Sequence, residues 1–200
     1  MPTASRAKHK FCRRIGQCLW GDPKCPSVKR PYAAGPHGKG RRAKLSTYGE
    51  LLMEKQKLRN YYAISEKQLR IAFAKAKSGE GQTHEKLFRS LEQRLDAMVY
   101  RAGFAPTIFA AKQLVNHGHV LVDGKRVDRS SCLVKEGQVI SINAEKSPRL
   151  AEVAKKNNTT VPAYMEVDLD NLKATLVRAP QVEEIPVAVK IMSVIEYYAR

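Results

Sequence analysis

The sequence predicts an α+β protein with a basic N-terminal arm, a mostly helical domain and an inserted small module of helix and antiparallel sheet. Residues 1–45 hold twelve Lys or Arg and one acidic residue, so this arm has a net charge of +11. Between residues 46 and 101, apolar side chains recur at the spacing of amphipathic helices. Beyond residue 118, short alternating runs are separated by Asp-Gly and Glu-Gly turns, which is typical of antiparallel strands.

The composition is that of a small folded protein with a large excess of positive charge. Two hundred residues with 43% hydrophobic content suffice for one or two packed domains. The net charge of +17 would cause self-repulsion unless a polyanion neutralised it. From Thr160 onward, six acidic residues outnumber four basic ones. We therefore expect nucleic acid at the basic end and a basic protein near the tail.

No run of residues approaches the apolar length needed to span a bilayer, and the N-terminus lacks the apolar core of a secretory signal. The basic, acid-poor start has the composition of an organellar transit peptide, but a removable leader has no use for its cysteines. We therefore expect a protein that makes no contact with a membrane.

Within the arm, three of the four cysteines fall inside fourteen residues, and His9 lies three residues before Cys12. Zinc prefers four nitrogen or sulfur ligands in a tetrahedron, and the neighbouring cations lower thiol pKa values. The spacing predicts one zinc ion held by His9, Cys12, Cys18 and Cys25, which would supply folding energy to a segment without a core of its own. The alternative is free thiols in a disordered arm, because the spacing is not a tight pair of CxxC motifs. Cys132 is expected to be a small buried hydrophobe on a strand.

The next domain, residues 46–91 together with about 185–200, is predicted to be helical. A capping box at Thr47–Glu50 opens a helix to about residue 60, and a second box at Ser65–Gln68 opens a helix to about residue 77. An apolar stripe from Leu87 to Val99 indicates a third helix over about 84–101. The segment Val189–Tyr198 is expected to be a helix that packs back on the earlier ones.

The inserted α+β domain is predicted over residues 92–184, with its core module at about 92–145. Thr107 can cap a short helix that ends where Gly118 supplies a left-handed residue. Strand residues 120–122 and 125–127 flank a type I′ turn at Asp123-Gly124, and Val139–Ile142 alternates like a half-buried strand. A helical piece over 149–156 and strands over 164–168 and 173–178 complete the domain, followed by an acidic loop at 180–186.

Cations cluster at the helix end and the first turn of this module. Lys112, His117, His119, Lys125 and Arg126 all fall there, where they can press positive charge and hydrogen-bond donors against a phosphate backbone. His119 can equally be a structural histidine that caps a neighbouring element instead of contacting phosphate. We interpret the module as one that docks on RNA.

These residues, taken together, resemble the family of small-subunit ribosomal protein four of the bacterial and organellar type, across nearly the whole chain. The matching motifs include Cys12-Arg-Arg, Pro23-Lys-Cys25, Arg30-Pro-Tyr32, Glu54-Lys-Gln-Lys57, Arg94-Leu-Asp96, Val99-Tyr-Arg101, His117-Gly-His119, Val122-Asp-Gly124 and Val194-Ile-Glu-Tyr197. The chain departs from the family at the module helix, where Thr107, Ile108 and Lys112 replace a usual Ser-Arg start and a later Arg. It also has His9 where zinc-binding members have a cysteine.

The resemblance implies a non-enzymatic structural constituent of the small ribosomal subunit that binds the 5′ domain of its rRNA early in assembly. It also implies contact with small-subunit protein five through Glu196 and Tyr197, an interface linked to decoding accuracy. Lys39, Arg41, Arg42 and Lys44 would face the channel by which mRNA enters. The location implied is the cytoplasm, or an organellar ribosome as the alternative, and the protein is not expected to form homo-oligomers.

The full set of predicted RNA contacts consists of cations in the arm, the first long helix and the module. It comprises Lys8, Lys10, Arg13, Arg14, Arg30, His37, Lys39, Arg41, Arg42, Lys44, Lys55, Lys57, Arg59, Lys112, His117, His119, Lys125 and Arg126. One rival class is an RNA-modifying enzyme, or an RNA-docking subunit, that uses the same module, although no nucleotide loop or paired-carboxylate site is evident. A second rival is a separate chaperone or rescue factor for ribosomes, which the capped helices and the basic arm disfavour.

Overall fold

The computed structural model describes residues 9–40, 44–143, 152–153, 157 and 160–199. The chain divides into two compact units, one of Met1–Glu66 with Val187–Arg200 and one of Lys67–Pro186. The predicted α+β class, with a helical part and an antiparallel sheet, is confirmed. Among the described residues, no helix combines the length and the apolar character required to cross a membrane.

The first unit is helical in its described residues. Its helices are α1 (Lys10–Ile15), α2 (Pro26–Lys29), α3 (Thr47–Tyr61) and, at the other end of the chain, α8 (Ile191–Ala199). The C-terminal helix packs on α3 as predicted, because the Tyr197 hydroxyl lies 3.3 Å from that of Tyr48 and Lys55 Nζ lies 4.5 Å from the Tyr197 ring centre. Two helices distant in the sequence are thereby joined in one unit.

The cap of α3 differs from the prediction by one residue. Ser46 has an extended backbone, and its Oγ accepts a hydrogen bond from Gly49 N at 3.2 Å. Thr47 is therefore the first helical residue, and the predicted box at Thr47–Glu50 is wrong. A serine directly before the helix outcompetes the threonine because its extended backbone aims the hydroxyl at the exposed amides.

The helix α4 (Glu66–Ser78) begins at the boundary between the units, and the second unit holds the remaining elements. They are α5 (Thr83–Glu92), α6 (Leu95–Arg101), α7 (Ile108–Asn116), β1 (Val120–Val122), β2 (Lys125–Arg126), β3 (Val139–Ile142), β4 (Met165–Asp168), β5 (Lys173–Leu176) and a 3-10 turn at Val182–Glu184. The predicted helical piece over 149–156 lies outside the described residues, except that Glu152 and Val153 are helical.

The predicted single helix over 84–101 is wrong, because the chain breaks at Arg94 into α5 and α6. Arg94 is extended, with φ −63° and ψ 139°, and forms an antiparallel bridge with Leu133. On either side, Val134 N donates to Gln93 O and Leu95 N donates to Cys132 O, both at 2.8 Å. Pairing with this distant segment satisfies the backbone groups that a continuous helix would otherwise have bonded internally.

The five strands form one antiparallel sheet in the order β2-β1-β3-β5-β4. The turn between β1 and β2 has φ +49° at Asp123 and +76° at Gly124, which fits the predicted type I′ geometry. One face of the sheet carries buried residues such as Ile140 and Ala174, which are direct neighbours across β3 and β5. This face packs with α6 and α7 into the main apolar core.

Cys132 corrects a further prediction. It lies in a loop rather than on a strand and is half-buried, although it packs against the apolar core. Pairing at this point is an isolated bridge between Leu133 and Arg94, to which Cys132 contributes its carbonyl, and one bridge is too short to form a strand. The predicted loop at 180–186 also contains the 3-10 turn, where Gln181 N donates to Glu184 Oε2 at 3.4 Å.

Candidate nucleic-acid interface and metal centre

The first unit gathers a histidine and two cysteines at one point. The possible ligand atoms of His9, Cys12 and Cys25 all lie within 4.8 Å of one another, and Cys25 Sγ is 3.1 Å from His9 Nδ1. His9 immediately precedes α1, Cys12 lies one turn into it, and Cys25 immediately precedes α2. Two short helix starts therefore bring together ligands that are separated along the chain.

The thiols of this group are in contrasting environments. Burial raises the pKa of Cys12 to about 12. Burial would also raise the pKa of Cys25, but hydrogen bonds from the Ser27 hydroxyl and backbone outweigh it and lower that pKa. Cys18 lies outside the group of three, but burial and, to a smaller extent, the Cys25 thiol raise its pKa. Of the four predicted ligands, three are brought together and the fourth is adjacent.

Arg13 has a structural contact within the arm. Its guanidinium donates to the carbonyls of Tyr32 and Ala33, both at 3.2 Å, and stacks 5.1 Å from the Tyr32 ring centre. Lys39 Nζ lies 5.7 Å from the centre of the same ring. Arg13 thus attaches the loop after α2 to α1. The other predicted RNA contacts of the arm that the structure describes are exposed: Lys10, Arg14, Arg30, His37, Lys39 and Lys44. Lys8, Arg41 and Arg42 lie outside the described residues.

The three predicted cations of α3 have carboxylate partners inside the first unit. Lys55 is 4% exposed, lies 2.9 Å from Glu66 and sits 4.5 Å from the ring centre of Tyr197. Lys57 lies 2.5 Å from Glu54, and Arg59 lies 3.8 Å from Glu66. Two carboxylates thus offset part of the charge of these three cations within the unit, and their assignment to RNA stays a prediction.

At the module helix, α7 starts and ends as predicted. Thr107 Oγ1 accepts a hydrogen bond from Ala110 N at 3.1 Å, and Gly118 has φ +72°. The guanidinium of Arg126 lies directly over Gly118, so that a methyl group at this position would overlap it. The glycine therefore serves both the left-handed turn and the close approach of the arginine.

The imidazoles of His117 and His119 flank this glycine, with ring centres 6.1 Å apart. His117 is exposed and His119 is half-buried, while Lys125 and Arg126 are exposed in the neighbouring hairpin. The structure therefore brings together three of the five predicted groups of the module, His117, His119 and Arg126, and Lys125 is the residue before Arg126 in the same strand. Their arrangement can place several donors along one stretch of phosphate backbone.

Lys112, the fifth, faces a buried ion cluster that the sequence did not reveal. Its Nζ lies 3.5 Å from Asp96 Oδ2, and Arg94 donates to the same carboxylate with a shortest distance of 2.6 Å. Burial lowers the pKa of Lys112, although the charge of Asp96 opposes that shift. Asp96 is 1% exposed, so this cluster ties α6 to α7. The Arg94-Leu-Asp96 motif was the one feature of the sequence that could have indicated this ion cluster.

A second basic surface, on α4, was not among the predictions from the sequence. The exposed face of α4 carries four cations that have no place in the predicted set: Lys67, Arg70, Lys75 and Lys77. Their density within the predicted helix over about 65–77 was the signal that could have found them. In the tail, Glu196 is exposed and the Tyr197 hydroxyl lies 3.3 Å from that of Tyr48.

Two family models match this chain, one over its N-terminal part and one over its central part. Residues 4–92 match the family model described as Ribosomal protein S4/S9 N-terminal domain, and residues 93–140 match the S4 domain model. The fold and these matches define a ribosomal protein that carries an S4 domain.

Curated relatives narrow the class further. The small ribosomal subunit protein uS4 of Ruegeria pomeroyi and that of Paracoccus denitrificans are each 47% identical to this chain over 206 residues, and that of Cereibacter sphaeroides is 48% identical. Each match covers 100% of this chain and 100% of the relative. The chain belongs to the uS4 family of small ribosomal subunit proteins. The predicted resemblance and the prediction of a non-enzymatic protein are both confirmed, and the alternative of an RNA-modifying enzyme is not favoured.

Proposed function

We propose that this protein is a structural constituent of the small ribosomal subunit in the cytoplasm, where it binds the 5′ domain of the rRNA early in assembly. The observation that carries the proposal is the full-length match to uS4 relatives. The exposed cations of the arm and of the module supply the chemistry, since binding to phosphates releases condensed counterions. Folded RNA junctions are recognised mainly through shape and backbone, which suits such a surface.

A salt titration tests the rRNA contact. The chain should bind a 5′-domain transcript in magnesium more tightly than a scrambled RNA of equal length. The slope of log affinity against log salt should become shallower by about two when Lys125 and Arg126 are both changed to alanine. Arg178→Ala is the matched control, because Arg178 pairs with Glu184. Equal affinity for both RNAs would reject the proposal.

We also propose that Lys39, Arg41, Arg42 and Lys44 face the mRNA as it enters the subunit. The exposure of Lys39 and Lys44 supports this placement. In the double variant Arg41→Ala/Arg42→Ala, unwinding of structured mRNA by reconstituted ribosomes should slow several-fold while subunit assembly proceeds normally. If assembly fails first, these arginines serve the rRNA instead.

The exposed end of α8 is proposed to meet small-subunit protein five. Glu196 is an exposed acidic residue of this helix, and a basic partner would complement its charge. Glu196→Arg should reduce retention of protein five in reconstituted subunits and raise the rate of miscoding. Glu183→Arg makes the same charge change at an exposed site outside the helix, and equal effects of both changes would reject the contact.

The metal centre is proposed to hold one zinc ion through His9, Cys12, Cys18 and Cys25. One nitrogen and three sulfur ligands match the preference of structural zinc. The proximity of His9, Cys12 and Cys25 supports this set, and the interaction of Cys18 with Cys25 supports a fourth ligand. The ion would stabilise the short α1 and α2, which have little apolar core around them.

A further inference from the structure

A small cleft opens beside α7 in the second unit. Its volume is about 220 Å³, below the roughly 300 Å³ at which sites for drug-sized molecules begin. Its lining combines apolar side chains with an amide and two imidazoles: Phe104, Pro106, Ala110, Gln113, Leu114, His117, His119 and Val153.

The lining suits a flat heterocycle with polar edges. Phe104 is 1% exposed and Leu114 is 8% exposed, so they form a fixed apolar floor. Gln113 is exposed on the rim, and its amide can both donate and accept a hydrogen bond. The two imidazole rings provide aromatic faces of the kind on which unstacked bases pack in RNA complexes.

Positive charge lies beside this cleft. Gly118 separates His117 from His119 in the chain, and the Arg126 guanidinium covers Gly118. A guanidinium presents a fork of donors that matches the oxygens of a phosphate. A ligand that reaches the two imidazoles would therefore have an arginine close to any phosphate attached to it.

We propose that this cleft binds one unstacked nucleobase of the RNA partner, while Arg126 contacts the phosphate of the same nucleotide or its neighbour. The inference rests on the proposed function and adds a base-reading site to contacts that otherwise involve the backbone alone. A nucleotide within a chain is favoured over a free one, because the protein's net charge of +17 suits a polyanion with many phosphates.

Three variants of the full chain test the cleft, with the 5′-domain transcript as the probe. Ala110→Leu fills the space with a larger side chain at a lining residue, and Gln113→Leu removes the rim amide. Asn116→Leu makes the same amide-to-leucine change on the same helix at a residue that does not line the cleft. The readouts are protection of individual bases from chemical modification, protection of the sugar backbone from hydroxyl radicals, and affinity.

The native chain should protect at least one base that becomes reactive with Ala110→Leu and with Gln113→Leu, while the backbone footprint persists. Affinity should fall on the order of tenfold with Ala110→Leu, which is the scale of one lost stacking contact. Asn116→Leu should leave base protection intact.

Base protection that survives Gln113→Leu would overturn the inference, as would its loss with all three variants alike. A large fall in melting temperature of the RNA-free Gln113→Leu chain, without one for Asn116→Leu, would show that the cleft belongs to the protein's own packing and would also overturn it. A native chain that fails to bind the transcript would instead reject the proposed function.

Discussion

Replacing Arg101 with methionine should lower the free energy of unfolding of the second unit by about 3–5 kcal/mol. Arg101 donates to Glu92 inside the core, where Glu92 is 0% exposed and Arg101 is 6% exposed. The Tyr164 hydroxyl donates to the same carboxylate at 2.7 Å. Methionine occupies a similar volume but leaves a buried carboxylate without its countercharge, which is the costly way to break such a pair. Urea unfolding of the RNA-free chain measures the loss.

Two further variants separate this effect from a general loss of packing. Arg178→Met removes an arginine whose pair with Glu184 is far more exposed, so its effect should be much smaller. The double variant Glu92→Gln/Arg101→Met should recover part of the lost stability, because the neutral amide carries a smaller desolvation cost. A double variant no more stable than Arg101→Met alone would contradict the electrostatic explanation.

The elements with local signals were predicted from the sequence, whereas the helix break at Arg94 was not. The sequence predicted α7 and the hairpin of β1 and β2 because their signals are local: a capping threonine, a left-handed glycine and an Asp-Gly turn. The break at Arg94 depends on pairing with Leu133, a contact made only once the chain has folded. The helical spacing of the apolar residues continues across Arg94, so this spacing alone could not predict the break.

The same limit applies to the predicted site. The cysteine spacing indicated a metal centre because its ligands lie close in sequence, and three of them do lie together. The cations were harder to assign, because Lys55 and Lys112 meet Glu66 and Asp96 on other helices. Composition shows an excess of positive charge, but only the fold shows which cations already have partners.

Removal of zinc should destabilise the first unit more than the second. The purified chain should contain about one zinc per molecule, and chelation should unfold α1 and α2, since structural zinc contributes about 10–16 kcal/mol in small peptides. Cys25→Ser should abolish binding, because Cys25 is near both His9 and Cys12. Cys132→Ser is the control, since Cys132 lies in the other unit. Elemental analysis and amide hydrogen exchange measure occupancy and local unfolding.

Two substitutions test the ligand set itself. His9→Cys should retain the ion, because zinc accepts four thiolates as readily as three with an imidazole. Cys18→Ser should weaken binding about as much as Cys12→Ser if Cys18 supplies the fourth ligand. The absorption spectrum of the cobalt-substituted chain then counts the thiolates, and three in the native protein would agree with the proposal. A native chain with two thiolates, unchanged by Cys18→Ser, would restrict the site to the three residues that lie within 4.8 Å of one another. Because four protein ligands close the coordination sphere, the outcome also decides whether the ion is purely structural or keeps a position open to RNA or water.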